Sequence, residues 1–343
     1  MNYLPVTHRS LKQAAEIIRG GGIVAFPTET VYGLGADAFN AGAIAKVFEA
    51  KGRPRFDPLI IHIAAMETLE MVAAAAYNMR QKLSLLAKKF WPGPLSIVLP
   101  KNEKIPGIAT AGLPTAAIRF PSHEAAQKLI SLSGGAIAAP SANPFGALSP
   151  TKAEHVRDTL GNKVDMILDG GSAQIGLEST VLDITGGRVK ILRHGGVSKE
   201  EIENLIGAVE DCTALENTDS KTAKAEEAYA SPGQLKSHYA PKIPLSTFKT
   251  DDISSLPLEQ NAAYLFFDDS SCDTWLEGKS RAQNPVFRVL SSSGQIREAA
   301  FRLFEILHEL DSLRIKRIFA QFAPEQRLGM AINDRLRRAS ANT

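Results

Sequence analysis

Five short polar clusters carry most of the side chains in this chain that could do chemistry: Pro27-Thr28-Glu29-Thr30, Lys51-Gly52-Arg53-Pro54, Thr115 with Arg119, Pro140-Ser141-Ala142-Asn143 and Gly176-Leu177-Glu178-Ser179-Thr180. The Lys-x-Arg spacing of Lys51 and Arg53 offers a point charge beside a planar fork, a pair suited to a polyphosphate. Ser141 and Asn143 add neutral donors to such a site. Taken alone, however, Lys51 and Arg53 fit a solvated helix end better than a binding site. There is no GxxxxGK[ST] run, so a nucleotide would be held without a P-loop, and no HExxH or Cys/His cluster that points to a transition metal.

Each cluster follows or ends a short apolar run, and open α/β sheets bind ligands at strand ends. Ile23–Phe26, Leu59–Ile63, Ser96–Leu99, Ala117–Phe120, Ala136–Ala139, Met166–Leu168 and Thr180–Asp183 read as strands. Leu11, Ala14, Ala15, Ile17 and Ile18 recur at helical spacing, which predicts a helix over 10–19 with Ser10 as its N-cap, ended by Gly20-Gly21-Gly22. Helical patterns between strands predict an α/β domain with a mixed sheet over 1–206. From 207 to 242 the pattern dissolves into a polar linker that contains Ser231-Pro232-Gly233-Gln234-Leu235-Lys236-Ser237-His238-Tyr239-Ala240-Pro241, expected to act as a lid. A smaller α/β domain is expected over 243–343, with strands at Ala262–Phe267 and Arg317–Phe322 and a helix over 295–313 that puts Ile296, Ala300, Leu303, Leu307 and Leu310 on one face.

With 343 residues, the chain exceeds the usual reach of one core, in keeping with two domains. A net charge of +2 provides no global pull toward nucleic acid or membrane. Two cysteines, Cys212 and Cys272, are too few for a disulfide framework and favour a reducing compartment. The N-terminal MNYLPVTHRSLKQ lacks a signal-peptide pattern, and no apolar run of about 18 residues occurs, so a soluble cytoplasmic protein is expected.

FPTETVYGLG, FEAKGRPRFDPLIIHI, WPGPLSIVL, IRFPSH, APSAN and GLESTVLD, in this order, resemble the YrdC-type threonylcarbamoyl-AMP synthases over nearly all of residues 10–200. SPGQLKSHYAP and the C-terminal domain resemble the longer, two-domain version. The resemblance implies a twisted mixed α/β sheet followed by a smaller Rossmann-like α/β domain. It also implies a nucleotidyltransferase that makes threonylcarbamoyl-AMP and pyrophosphate from L-threonine, bicarbonate and ATP, with Mg2+ accompanying the ATP. The product would serve threonylcarbamoyladenosine modification of tRNA through a downstream threonylcarbamoyl transferase, and tRNA is itself a candidate contact. Such a reaction needs positioning and charge neutralisation rather than a nucleophilic side chain. Carried over by motif, Lys51, Arg53, Ser141 and Asn143 fall at the triphosphate and reaction centre. Thr30, His62, Arg119, the backbone of Ala139 and Ser179 fall at threonine. Arg53, Asp57, Thr115, Ser141, Ser149, Arg193 and Tyr239 fall at the nucleotide.

Bland readings stand beside some of these. His62, between Ile61 and Ile63, reads from sequence as a core histidine, Asp57 as a turn cap, Tyr239 as a packing residue, and Thr28 and Glu29 as turn formers. The chain also departs from the family's Arg-Pro-Gly at Arg193-His194-Gly195-Gly196, which loosens the turn that would set Arg193. Two other functions compete. Gly33-Leu34-Gly35-Ala36-Asp37-Ala38 has the form GxGxxA of a dinucleotide-binding oxidoreductase, although Thr28 through Tyr32 separate it from the preceding strand. A non-catalytic RNA-binding module would use Lys51, Arg53, Arg55, Arg335, Arg337 and Arg338.

Overall fold

The structure is a computed structural model and describes residues 2–74, 77–213, 238–277 and 286–341. These form two compact units, the first holding 2–145, 150–174 and 178–213, the second 146–149, 175–177 and 238–341. Residues 231–237 of the SPGQLKSHYAP segment lie outside the described residues.

The first unit is built on eleven strands: β1 (Asn2–Pro5), β2 (Val24–Phe26), β3 (Gly33–Asp37), β4 (Ile60–Ile63), β5 (Leu95–Pro100), β6 (Thr115–Arg119), β7 (Ala136–Ala139), β8 (Met166–Asp169), β9 (Thr180–Asp183), β10 (Lys190–Arg193) and β11 (Glu210–Asp211). They pair in the order β1-β8-β2-β3-β7-β4-β6-β5-β9-β10-β11, with parallel and antiparallel neighbours mixed. The two faces follow from alternation. Ile61, Ile97, Ile118 and Leu182 point into the main core, together with Val47, Leu86 and Val156. Their strand neighbours Ile60, Val98, Ala117 and Val181 point the other way and join Leu192 in a small separate cluster. On that second face the helices His8–Arg19 and Glu124–Leu132 cover β2, β7 and β8, burying Leu11, Ile18, Leu129 and Ile130 against Val24, Phe26, Ile137 and Met166. Each such side chain contributes roughly 1.5–3 kcal/mol on leaving water.

The first helix begins earlier than its apolar pattern predicts. Thr7, not Ser10, is the N-cap: Thr7 Oγ1 accepts from Ser10 N at 3.1 Å, and Ser10 Oγ accepts from Thr7 N at 2.9 Å. Ser10 thus occupies the third helical position of a capping box usually filled by Glu or Gln.

The second unit has four strands, β12 (Leu245–Phe248), β13 (Ala262–Phe266), β14 (Val286–Val289) and β15 (Arg317–Gln321), in the order β12-β15-β13-β14. All are parallel, as in doubly wound sheets. Trp275 packs with its ring tilted against Tyr264 and Phe266, and the helix Ile296–Asp311 buries Ala300, Leu303, Leu307 and Leu310 as its period predicts.

Candidate functional site

Helix Ala41–Lys51, capped by Asn40, ends at Gly52 in the left-handed conformation (φ 63°), which turns the chain so that Arg53 follows Lys51 into the protein. The predicted solvated helix end is wrong: Lys51 and Arg53 are both buried. Lys51 Nζ donates to Ser141 O at 2.6 Å and also to Asn143 O, while Phe145 N donates to Lys51 O at 2.8 Å. The Lys-x-Arg and Ser-x-Asn motifs, far apart in sequence, are thereby strapped together. Arg53 donates to the carbonyls of Asp57 (3.1 Å) and Pro58 (2.9 Å), with Nη2 2.9 Å from Asp57 Oδ2. Burial drives the Lys51 ammonium well below its ordinary pKa, and the Arg53 charge pushes it the same way. Burial raises the Asp57 carboxyl against the opposing pull of Arg53, Lys51 and Arg193. Arg53, Lys51 and Arg193 all act electrostatically on the one acid Asp57, a mainly basic group of the kind that suits a polyphosphate.

A second polar group lies on the sheet face opposite the main core. Register sets His62 (β4), Arg119 (β6) and Ser96 (β5) in one row. Arg119 Nη2 donates to Glu29 Oε1 at 2.6 Å, and both side chains are buried. Thr30 is fully buried beside Thr28, their hydroxyl oxygens 2.8 Å apart. Ser179, just before β9, shares a hydroxyl–hydroxyl hydrogen bond of 2.8 Å with Ser96. Arg193 donates to the carbonyl of Ser179 from Nε (3.1 Å) and Nη2 (3.0 Å), and to its hydroxyl at 3.1 Å. Ala139 ends β7 opposite Ile60, and Thr115 stands at the far end of β6 from Arg119, opposite Pro100. Ser149 and Tyr239 belong to the second unit. There, Ser149 O meets His308 Nε2 at 3.1 Å, and Tyr239, at φ 62°, packs against His238 and Phe304 with the Arg335 guanidinium 5.0 Å over its ring.

Two members of this polar group have contacts that sequence reading does not assign. Glu29, expected to shape a turn, is the ion-pair partner of Arg119. Ser96 opens a predicted strand as its one polar member, and only the register with β6 and the contact to Ser179 reveal it. The departure at Arg193-His194-Gly195-Gly196 also acquires a physical account. A Cβ at Gly195 would lie 2.3 Å from Glu178 O and 2.4 Å from Ser179 C, so the chain passes directly over the Ser179 backbone. His194 Nε2 meets Asp211 Oδ2 at 2.8 Å, a side-chain tie in place of proline's fixed φ.

His62 is buried and its pKa is pushed down to about 3 by desolvation, with the Arg119 charge adding to the shift. It is neutral in the folded protein, whereas in the unfolded chain it titrates near 6.5. Between pH 6.5 and about 3 the unfolded state binds a proton that the folded state refuses, so stability is fully present above 6.5 and declines as pH falls. A denaturant titration series should show this acid-side slope, at most about 1.4 kcal/mol per pH unit, reduced in His62→Asn. An unchanged slope in the variant would assign the acid sensitivity to other groups.

The competing readings lose their structural basis. Gly33–Asp37 is a strand paired antiparallel with β2, not the tight turn of a dinucleotide site. A Cβ at Gly35 would meet Ile137 Cγ2 and Phe26 Cε1, each at 2.8 Å, so this glycine admits side chains of the sheet rather than a pyrophosphate. Of the arginines invoked for an RNA surface, Arg335 and Arg338 are buried on Asp334, at 2.8 Å each, and Arg337 pairs with Glu325. No helix among the described residues is long and apolar enough to cross a membrane.

Comparison with known proteins identifies the family. Residues 16–195 match the Sua5/YciO/YrdC family model described as "Telomere recombination", and residues 197–341 match "Threonylcarbamoyl-AMP synthase, C-terminal domain". The chain is 42% identical over 331 residues to the threonylcarbamoyl-AMP synthase of Pyrococcus abyssi, covering 96% of this chain and 94% of that one. It is 39% identical over 334 residues to that of Bacillus subtilis, covering 96% and 92%. The crystal structure of P. abyssi Sua5 complexed with L-threonine matches 99% of this chain and 96% of its own, with a TM-score of 0.84 and 39% identity. With both family models matched in order and these relatives aligned almost end to end, the chain belongs to the threonylcarbamoyl-AMP synthase family in its two-domain form.

Proposed function

We infer that this protein is an L-threonylcarbamoyladenylate synthase, which forms threonylcarbamoyl-AMP and pyrophosphate from L-threonine, bicarbonate and ATP. The observation that carries the reading is the position of Arg193: it donates to Ser179 in the Arg119 group, and its charge reaches Asp57 in the Lys51 group. An amino-acid subsite and a polyphosphate subsite are therefore adjacent in one unit, as the joining of carbamate to α-phosphate demands.

In this reading threonine lies on Thr30, His62, Arg119, the Ala139 backbone and Ser179, with Arg119 taking the carboxylate through its planar fork. Its ammonium gives up a proton, the free amine attacks the bicarbonate carbon, and a C–O bond breaks with loss of water as the C–N bond of a carbamate forms. A carbamate oxygen attacks the α-phosphorus of ATP, and pyrophosphate leaves. Lys51, Arg53, Ser141 and Asn143 neutralise and orient the triphosphate at that step, while Asp57, Thr115 and Arg193 complete the nucleotide contacts within the first unit. Neutral His62 suits this role, since it offers threonine a hydrogen bond without adding a cation beside Arg119. The nucleotide enters as its magnesium complex. Asp57 is already engaged by Arg53, so the ion would be held through the phosphates. The cytoplasm is the expected compartment, with the product passed to a threonylcarbamoyl transferase acting on tRNA.

Pyrophosphate release should require threonine and bicarbonate together with ATP. A coupled pyrophosphate assay with each component omitted in turn checks this, and equal release from ATP alone would contradict the reading.

A further inference from the structure

The ion pair between Arg119 and Glu29 has a property that carboxylate binding by Arg119 alone does not explain. The Glu29 side chain is only 3% exposed, its Oε1 holds Arg119 Nη2 at 2.6 Å, and its Oε2 has no hydrogen-bond partner among the described residues. A buried carboxylate oxygen left unpaired is costly, and such orphans mark places where a partner is expected. The pair also sums to zero charge. Of the neighbouring histidines, His62 and His123 are both pushed toward the neutral form by burial, so neither adds a cation. A ligand carrying only a carboxylate would meet Arg119 together with the opposing charge of Glu29. A zwitterion, with an anionic and a cationic end, matches the pair.

We propose that Glu29 is a specificity residue for the free amino group of the substrate: Oε1 keeps Arg119 aimed at the threonine carboxylate, and Oε2 accepts a hydrogen bond from the threonine ammonium. This rests on the threonine subsite of the proposed function and adds to it the residue that distinguishes an amino acid from other small carboxylates. Glutamine in this position keeps the volume and a carbonyl oxygen for Arg119, but removes the charge and presents a donor where the ammonium needs an acceptor.

The test uses the full-length protein and its Glu29→Gln and Glu29→Asp variants, titrated calorimetrically with L-threonine and with the hydroxy acid in which threonine's amine is replaced by a hydroxyl. Thermal melting and ATP titration establish that each variant is folded. The expected result is that Glu29→Gln weakens L-threonine at least about tenfold, about 1.4 kcal/mol, and the hydroxy acid by less than about twofold. Glu29→Asp, which keeps the charge, should lose less for threonine than Glu29→Gln. If Glu29 only positions Arg119, both ligands lose equally, because both carry the carboxylate, and the proposal fails. Unchanged threonine affinity in Glu29→Gln also overturns it. Should the hydroxy acid bind too weakly to titrate, a crystal structure with L-threonine decides: the amine nitrogen within hydrogen-bond distance of Glu29 Oε2 supports the proposal, and an amine directed elsewhere refutes it. A wild-type protein that binds no threonine at all would instead reject the proposed function.

Discussion

Lys51→Ala should lower kcat/KM for ATP-dependent pyrophosphate release about a hundredfold or more, equivalent to about 2.7 kcal/mol of transition-state stabilisation. Two losses combine. The variant removes a basic group from the proposed triphosphate subsite, and charge-assisted contacts to phosphate are among the strong ones. It also removes the donor that fixes the carbonyls of Ser141 and Asn143, so the loop that carries both neutral donors loses its strap to helix Ala41–Lys51. Arginine should rescue little, because a planar fork does not reproduce the point contact of a buried ammonium with the Ser141 and Asn143 carbonyls. Steady-state kinetics on a variant shown by circular dichroism to be folded checks this. Wild-type kinetics would remove Lys51 from the site.

Arg119→Ala should weaken L-threonine about a hundredfold while ATP affinity changes less than about threefold, because the charge-assisted fork to the carboxylate is lost whereas the Lys51 group is untouched. The same variant should destabilise the fold by about 3–5 kcal/mol, since it leaves the Glu29 carboxylate buried without its partner. Paired calorimetric titrations and denaturant unfolding measure the two effects. If ATP affinity fell and threonine binding did not, the subsites would be assigned the wrong way round.

Much of the architecture is legible in the sequence because apolar runs bounded by turns survive as strands: Ala136–Ala139 and Thr180–Asp183 appear with the predicted bounds, and Ala262–Phe266 and Arg317–Gln321 are each one residue shorter than expected. What is not legible has particular causes. Gly33–Asp37 resembles a nucleotide loop because two glycines dominate it, yet they are there to let Phe26 and Ile137 close over a strand. The burial of Lys51 and Arg53 is hidden because their partners, the carbonyls of Ser141, Asn143, Asp57 and Pro58, are backbone groups with no signature in residue type. Glu29 is hidden because its partner lies far along the chain, on β6. The bland reading of His62 as a buried histidine describes its environment correctly, for it is buried and neutral, and that same state is what a hydrogen-bonding role at threonine would use.

The central claim is that one protein unites threonine, bicarbonate and ATP in a single adenylated product. Incubating the purified chain with MgATP, carbon-13 bicarbonate and nitrogen-15 threonine, followed by rapid mass spectrometry, tests it most directly. The predicted result is a threonylcarbamoyl-AMP peak that carries both labels, accumulating with pyrophosphate in equal amounts. Pyrophosphate accompanied only by AMP or by threonyl-AMP without the bicarbonate carbon, or no adenylated product at all, would contradict it.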